Sequence, residues 1–262
     1  MASPSSSPPQ QASSSPSSSL DTPFSSRERL FFLVSILAIP YLFWFPMFYL
    51  AAMVRTYPER PSFSGLWLSP RALVVAYAAC GALLVDHPRV LRERMSKSGL
   101  HGEKPGEPWK EVWAQRILLV LSVAEIFVSC FDAAGRVGAD EMKAINVVGS
   151  IIMVVSFVLI SWVCRANSYA SKVVYKQEGQ QLITTGPYRL VRHPMYSFFT
   201  LFFAGLPLML GSPVWGMIPS LLVVLTLMWR TNHEEEFLVK QFGGQYRKYR
   251  QDVPWRMFPG LF

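Results

Sequence analysis

Long apolar runs separated by short polar stretches are the dominant pattern along this chain. Residues 30–54 and 145–164 contain no charged side chain, and residues 118–131 contain only Glu125. A helix needs about 20 mostly apolar residues to cross the roughly 30 Å hydrocarbon core of a bilayer. Each run therefore predicts a membrane-spanning helix, and the helix at 118–131 is predicted to begin at residue 112. Glu125 is either a functional group or, as we expect, a neutral or paired acid that faces other helices.

Two further apolar regions are interrupted. Residues 66–85 contain Arg71 near their start, where a long side chain can reach the membrane interface, and they predict another span. Residues 196–229 are divided by Gly-Ser-Pro at 211–213, which predicts a tight turn between helical arms of 15 and 16 residues. These arms are short, so a full crossing and a shallow re-entry are both open. The whole pattern predicts an all-α polytopic membrane bundle with about six transmembrane helices.

Composition and charge agree with a membrane protein and orient it. Hydrophobic residues make up 51% of the chain and charged residues only 16%, against about 25% in an ordinary soluble domain. Of the 25 Lys and Arg residues, nineteen fall on the side that holds both termini, five fall in the opposite loops, and Arg116 lies at the beginning of a span. Loops rich in Lys and Arg stay in the cytosol, so both termini are predicted to be cytosolic.

Charge and residue usage also exclude some partners. The net charge of +8 follows from this topological bias and from attraction to anionic membrane lipid. No basic helix or aromatic-interleaved patch indicates nucleic-acid binding. No metal site is expected, because the four His residues are scattered and the three Cys residues fall inside apolar spans.

The pattern divides the chain into three parts. Residues 1–29 form a Ser/Pro-rich tail that is predicted to be disordered and cytosolic, and not a cleavable signal. Residues 30–164 hold the first four predicted transmembrane helices. Residues 165–262 hold the hairpin, the polar segments on each side of it, and a cytosolic tail.

A polar segment at residues 180–196 leads into the hairpin. Gly186 favours a turn, and Pro194 disfavours helical geometry at His193, so the imidazole is predicted to lie in irregular backbone at the membrane boundary. Such backbone is tolerated at that depth where it lines a cavity. The alternative is an ordinary interfacial loop whose polar side chains anchor in lipid headgroups. The anchoring residues would be Tyr188, Arg192 and Tyr196.

A second polar segment follows the hairpin at residues 230–249. On a helix, Arg230 and Glu234 lie one turn apart on the same face. An exposed pair of this kind is usually a solvated surface feature. Here the pair directly follows an apolar span and is accompanied by two more acids, Glu235 and Glu236, which favours a functional site.

Both segments contain ordered motifs. The first reads G-P-Y-x-x-x-R-H-P-x-Y from Gly186 to Tyr196, and the second reads R-x-x-x-E-E-x-x-L-x-x-x-F-G-x-x-Y-x-x-Y from Arg230 to Tyr249. In this order the motifs resemble the isoprenylcysteine carboxyl methyltransferase family. The resemblance covers residues 173–262, about a third of the chain, while the earlier spans match only in being apolar. It implies an endoplasmic reticulum membrane protein in which a carboxy-terminal cytosolic helix closes a site for S-adenosylmethionine.

The resemblance also implies roles for individual residues. Arg230 would bind the acceptor carboxylate, and Glu234 would take part in catalysis and in cofactor binding. The other cofactor-binding positions are Gln180, Gln181, Leu182, Ile183, Tyr188, His193, Pro194, Met195 and Tyr196. A carboxylate can accept hydrogen bonds from the cofactor's amino group or ribose, and an imidazole can donate one to its carboxylate.

The implied reaction is S-adenosylmethionine-dependent methyl transfer to the α-carboxylate of a carboxy-terminal prenylated cysteine. A prenylated protein or peptide and membrane lipid are then the partners. The acceptor carboxylate is already ionised near neutral pH, so no strong base is needed. No Gly-rich strand-to-helix fingerprint is present, which excludes a soluble Rossmann-type methyltransferase.

Two alternative functions stay open. A methyltransferase acting on a phospholipid amine or another small lipophilic acceptor would require a deprotonated nitrogen, and Glu235 or Glu236 would then matter more. A noncatalytic polytopic transporter or scaffold is the other alternative. Its polar groups would be expected near the membrane midplane, not at one interface.

Overall fold

The described part of the chain is helical. A computed structural model describes residues 22–32, 34, 109–134, 141–167, 169 and 180–262. The helices are α1 (Trp109–Ala134), α2 (Glu141–Ala166), α3 (Pro194–Leu210), α4 (Met217–Phe242) and α5 (Gly244–Asp252), with a 3-10 turn at Gly186–Arg189. Residues 26–32 are also helical. Since these ranges contain no strand, the all-α prediction is confirmed for them.

Two of the predicted spans are confirmed as long apolar helices. They are Trp113–Ala133 within α1 and Ala144–Ala166 within α2. The predicted spans at 30–54 and 66–85 lie outside the described residues, apart from 30–32 and 34. The count of six crossings and the division into three parts therefore stay predictions.

Large apolar side chains lie exposed on the outer faces of three helices. On α1, α2 and α4 they include Val120, Phe127, Val147, Ile151, Leu221 and Leu225. Contiguous apolar surface of this kind is unfavourable in water and favourable against lipid. The exposed faces therefore agree with a membrane helix bundle.

The predicted hairpin is formed by α3 and α4. Gly211 ends α3 with φ of 80°, and its backbone N–H donates to the carbonyl of Leu208. The N–H of Ser212 donates to the carbonyl of Pro207 at 2.8 Å, which completes a Schellman cap. Glycine suits this position because a left-handed backbone places no Cβ in conflict. The second arm is longer than predicted, because α4 continues past the apolar stretch to Phe242.

Helices α2 and α3 cross at close range because glycines lie between them. A Cβ atom on Gly149 would overlap the backbone nitrogen of Met209, and a Cβ on Gly205 would lie 2.7 Å from Cγ2 of Ile152. Small residues at such crossings let backbones approach in a membrane, where dispersion forces and not the hydrophobic effect hold helices together. The buried cluster around this crossing consists of Ile126, Cys130, Met153, Phe157, Leu206, Met209 and Leu210.

Polar contacts join α1 to the hairpin. Glu125 is fully buried, and its Oε1 is hydrogen-bonded to the hydroxyl of Ser220 on α4 at 2.9 Å. Near the turn, the hydroxyl of Ser212 donates to Asp132 at 2.8 Å. The expectation that Glu125 faces other helices is confirmed.

Candidate active site

The backbone just before α3 is irregular, as predicted for His193. This residue precedes the helix with φ of −122° and ψ of 60°, and Pro194 occupies the first helical position. The N–H of Arg192 donates to the carbonyl of Trp255 at 3.0 Å, and the N–H of His193 donates to that of Arg256 at 2.8 Å. Residues 253–262, called here the C-terminal segment, thus supply the acceptors that nonhelical backbone requires.

The C-terminal segment also packs beside the hairpin. The hydroxyl of Ser197 donates to the carbonyl of Met257 at 2.6 Å. Met257 is buried in a cluster with Tyr196 from α3 and with Val223 and Leu227 from α4. Because these partners belong to the hairpin, the segment packs against apolar side chains of both α3 and α4.

Four motif residues meet at the beginning of α3 and just after the apolar part of α4. They are called here the motif core and are His193, Tyr196, Arg230 and Glu234. The hydroxyl of Tyr196 donates to Oε2 of Glu234 at 2.6 Å, and Cζ of Arg230 lies 5.3 Å from the centre of the Tyr196 ring. The ring of His193 is stacked on that of Tyr196, with centroids 5.7 Å apart and planes 6° apart. Nδ1 of His193 lies 3.8 Å from Oε2 of Glu234. The hairpin therefore brings the two sequence motifs together.

A buried ion pair lies beside this group. Nε of Arg192 donates to Oε1 of Glu235 at 2.6 Å, and Nη1 lies 2.8 Å from the carbonyl oxygen of Val253 and 2.6 Å from that of Pro254. Both charged side chains are about 5% exposed or less. Arg192 therefore joins three parts of the chain, namely the segment before α3, helix α4 and the C-terminal segment.

Further cations surround the same carboxylate. Nε of Arg256 lies 3.5 Å and Nε of Arg250 3.7 Å from Oε2 of Glu235. Nε2 of His193 lies 3.4 Å from Oε1. Burial raises the pKa of the Glu235 carboxyl, but the polar contacts and positive charges of His193 and Arg192 outweigh burial and lower it to about 2.

These contacts contradict the interfacial-loop alternative for two of its three residues. Arg192 is 7% exposed and Tyr196 is 8% exposed, so neither anchors in headgroups. Tyr188 is partly buried; its hydroxyl accepts a hydrogen bond from Asn167 at 2.9 Å, and its carbonyl accepts one from Tyr249 at 2.7 Å. Arg192 points into the protein because Glu235 and the C-terminal segment supply its partners, and Tyr196 because Glu234 accepts its hydrogen bond.

The remaining predicted cofactor positions lie in two other places. Leu182 and Tyr188 pack against the buried cluster of Tyr246, Tyr249 and Val253, and Gln180 accepts a hydrogen bond from Gln241 at 2.9 Å. Met195 packs against Phe24, Phe32, Ile160 and Cys164 on the opposite side of α3. Gln181 is exposed and Ile183 is partly buried. The predicted set is thus spread around the motif core, and its cofactor roles stay predictions.

The similarity of the chain to known methyltransferases extends beyond the two motifs. The phospholipid methyltransferase family model matches residues 144–245. A probable protein-S-isoprenylcysteine O-methyltransferase of Oryza sativa subsp. indica is 30% identical over 189 residues, which are 71% of this chain and 96% of the rice protein. The chain belongs to the protein-S-isoprenylcysteine O-methyltransferase family.

Other matches to this family cover a smaller share of the chain. Protein-S-isoprenylcysteine O-methyltransferase B of Arabidopsis thaliana is 35% identical over 81 residues, and the aligned part is 31% of this chain and 41% of that protein. The Schizosaccharomyces pombe protein-S-isoprenylcysteine O-methyltransferase is 38% identical over 73 residues, 28% of this chain and 31% of its own length. Membership makes the chain a methyltransferase, and its apolar helices indicate a membrane protein.

Methyltransferases in general use S-adenosylmethionine, and the residues at the motif core fit this cofactor. Glu234 is a partly exposed carboxylate that can accept hydrogen bonds from an amine or ribose hydroxyls. Nε2 of His193 is buried and makes no hydrogen bond within the described part of the chain. This nitrogen lies 3.4 Å from Oε1 of Glu235 without meeting hydrogen-bond geometry, so a bound polar ligand would fit as its partner.

Four residues that complete the site had no predicted role in cofactor or acceptor binding. Arg192 and Arg256 hold Glu235, Asn167 holds Tyr188, and Asn232 is hydrogen-bonded to Arg256. For Arg192 a signal existed, since a charged residue precedes His193 within the motif. Asn232 lies within the second motif at a position that the motif leaves unspecified, and Asn167 and Arg256 lie outside both motifs.

Proposed function

We propose that this chain transfers a methyl group from S-adenosylmethionine to the α-carboxylate of a carboxy-terminal prenylated cysteine. The observation that supports this most is the buried guanidinium of Arg230 beside the Tyr196–Glu234 hydrogen bond. A cation and an acceptor at the same interface can hold a carboxylate and a cationic cofactor next to each other. The reaction is proposed to occur on the cytosolic face of the endoplasmic reticulum membrane, with both termini in the cytosol.

Each residue at the motif core has a proposed task. Arg230 binds the acceptor carboxylate and orients one oxygen toward the methyl group. Glu234, oriented by Tyr196, accepts hydrogen bonds from the cofactor, and His193 donates one to its carboxylate. When bound, S-adenosylmethionine supplies an electrophilic methyl carbon whose bond to sulfur breaks as the new carbon–oxygen bond forms, with its electron pair left on sulfur. The protein contributes positioning and exclusion of water.

The surroundings of the site suit a lipid-bearing acceptor. Tyr196 packs with Val223 and Leu227, and Phe199 and Phe203 of α3 contact the same cluster. These side chains belong to the apolar hairpin, so an isoprenyl chain can stay in the bilayer while its carboxylate reaches Arg230. Prenylated protein or peptide and membrane lipid are the proposed partners.

A phospholipid amine is a second candidate acceptor. The description of the matching family model, phospholipid methyltransferase, favours it. The buried cation Arg230 favours the carboxylate acceptor instead, because its guanidinium would have no carboxylate to bind at the reacting end of an amine acceptor.

A single parallel assay distinguishes these acceptors. Membranes that contain the full chain receive methyl-labelled S-adenosylmethionine with either acetyl-farnesylcysteine or phosphatidylethanolamine. We expect a base-labile methyl ester on the first and no label on the second. Label on phosphatidylethanolamine alone would contradict the proposed acceptor. Absence of both products together with absence of cofactor binding would contradict the proposed function.

Arg230→Ala tests the proposed carboxylate contact. Loss of this buried charge should lower kcat/KM for acetyl-farnesylcysteine by at least roughly thirtyfold, because a charged contact of this kind contributes about 2 kcal/mol or more. Arg247→Ala is the matched control, because Arg247 is exposed on α5. Equal turnover by the two variants would reject the contact.

A further inference from the structure

Three consecutive acids on α4 differ sharply in their environments. The side chain of Glu234 is 22% exposed, that of Glu235 is 4% exposed, and Glu236 is exposed. Successive residues on a helix point about 100° apart, so the three carboxylates face different directions. Glu234 faces Tyr196, and Glu235 faces Arg192. Three identical side chains therefore have three different surroundings.

The surroundings of Glu235 are filled by basic side chains of this chain. Arg192 and His193 approach from the segment before α3, Arg250 from α5 and Arg256 from the C-terminal segment. The charge of this carboxylate is therefore compensated by the chain itself, although its Oε2 has only the ion contacts of 3.5 and 3.7 Å and makes no hydrogen bond within the described residues. Among the described residues, the contacts of Glu234 are a hydrogen bond from the Tyr196 hydroxyl and the more distant imidazole of His193. Of the two acids, Glu234 is therefore the one presented to a bound molecule.

The position of His193 depends on both acids. Its Nε2 lies 3.4 Å from Oε1 of Glu235, its Nδ1 lies 3.8 Å from Oε2 of Glu234, and its ring stacks on Tyr196. Tyr196 in turn contacts both Glu234 and Arg230. A displacement at Glu235 would reach the residues proposed to bind the cofactor and the residue proposed to bind the acceptor.

We infer that Glu235 is a positioning residue for both halves of the site and contacts neither the cofactor nor the acceptor. With Arg192 and Arg256 it holds the irregular backbone at His193 and the C-terminal segment in register with α4. This inference rests on the proposed function, because it assigns a role within the same site. It separates the two adjacent glutamates of the motif into a ligand-binding acid, Glu234, and a supporting acid, Glu235.

Single substitutions of the three acids test this division in the purified full chain. Glu234→Gln, Glu235→Gln and Glu236→Gln are compared for S-adenosylmethionine affinity, acceptor KM and kcat. Glu234→Gln should weaken cofactor affinity by roughly tenfold and leave acceptor KM unchanged. Glu235→Gln should weaken both by roughly tenfold, because it displaces Glu234 and Arg230 together. Glu236→Gln is the control and should match the wild type.

Arg256→Ala keeps the inference falsifiable where Glu235→Gln does not fold. Arg256 is partly exposed and contacts Glu235 and Asn232, so its loss loosens the same support without uncovering the core. Both cofactor affinity and acceptor KM should then worsen by about threefold. Loss of cofactor affinity alone in Glu235→Gln would overturn the inference by making Glu235 a direct contact. Unchanged cofactor affinity together with unchanged acceptor KM in Glu235→Gln would also overturn it. A wild-type protein that binds no S-adenosylmethionine would instead overturn the proposed function.

Discussion

Glu125 on α1 and Glu235 on α4 both carry buried carboxyl groups, but different groups surround them. Glu125 is fully buried between α1 and α4, where the hydroxyl of Ser220 is its hydrogen-bond partner. Within the described ranges no basic side chain forms an ion pair with it. Glu235 is 3% exposed and has Arg192, Arg250, Arg256 and His193 around it.

The difference shows how burial acts at the two ends of the hairpin. Ser220 and Glu235 are separated by 15 residues of α4, or about 22 Å along the helix axis. Near the turn of the hairpin, the contact between the Ser220 hydroxyl and Glu125 adds modestly to helix packing. At the end that carries the second motif, a charged carboxylate is retained by basic side chains from separate segments, so removing one partner leaves an uncompensated charge. The same residue type serves packing in one place and site geometry in the other.

The largest effect is expected from Arg192→Ala. This change leaves Glu235 without its closest cation and removes the hydrogen bonds to the carbonyls of Val253 and Pro254. Breaking a buried ion pair in this way should lower the free energy of unfolding by about 3–5 kcal/mol. Thermal unfolding of the purified protein in detergent measures the loss. A shift no larger than that of Arg247→Ala would contradict the comparison.

An effect of intermediate size is expected from acid. The pKa of Glu235 is about 2 in the folded protein and ordinarily 4.5, so the folded state favours the charged form. The stabilisation is complete above pH 4.5 and is lost as the pH falls toward 2, by on the order of 3 kcal/mol.

Unfolding midpoints between these pH values measure this loss. Glu235→Gln should be less stable than the wild type above pH 4.5 and should show a flatter dependence below it. Glu236→Gln should retain the wild-type dependence, because its carboxylate is exposed. A Glu235→Gln profile parallel to that of the wild type would refute the assignment of this titration.

The smallest effect is expected from Ser220→Ala, near the turn of the hairpin. The change removes the hydroxyl partner of Glu125 and should lower the free energy of unfolding by about 0.5–1.5 kcal/mol, as for other polar contacts between membrane helices. Cofactor affinity should not change, since Ser220 lies far from Arg230 and Glu234 along α4. Thermal unfolding and S-adenosylmethionine binding test both statements. Destabilisation equal to that of Arg192→Ala would remove the contrast between the two carboxyls.

The elements were predictable where local chemistry decides them. Spans α1 and α2 follow from runs of apolar residues, and the hairpin turn follows from the Gly-Ser-Pro sequence at 211–213. The irregular backbone at His193 follows from the proline after it. Each of these features depends on neighbouring residues alone, which is why the sequence was enough.

The arrangement of the site was only partly predictable. Motif spacing and the family resemblance pointed to His193, Arg230 and Glu234, which the hairpin does bring together. The burial of Arg192 was not predictable, since Arg189 in the same segment is exposed. The support from Arg256 required the C-terminal segment to fold back beside α3, a contact across more than 60 residues.

The sequence by itself determined that this chain forms apolar helices and a hairpin between two polar motifs. It also determined that the chain belongs to a methyltransferase family. The helices and the hairpin follow from composition and local pattern, and the family follows from the resemblance that the two motifs carry. The tertiary structure decided which of three adjacent glutamates is exposed, partly buried or buried, because that depends on which partner each helix face meets. Glu234 meets Tyr196 and Glu235 meets Arg192 only after α3, α4 and the C-terminal segment have packed together.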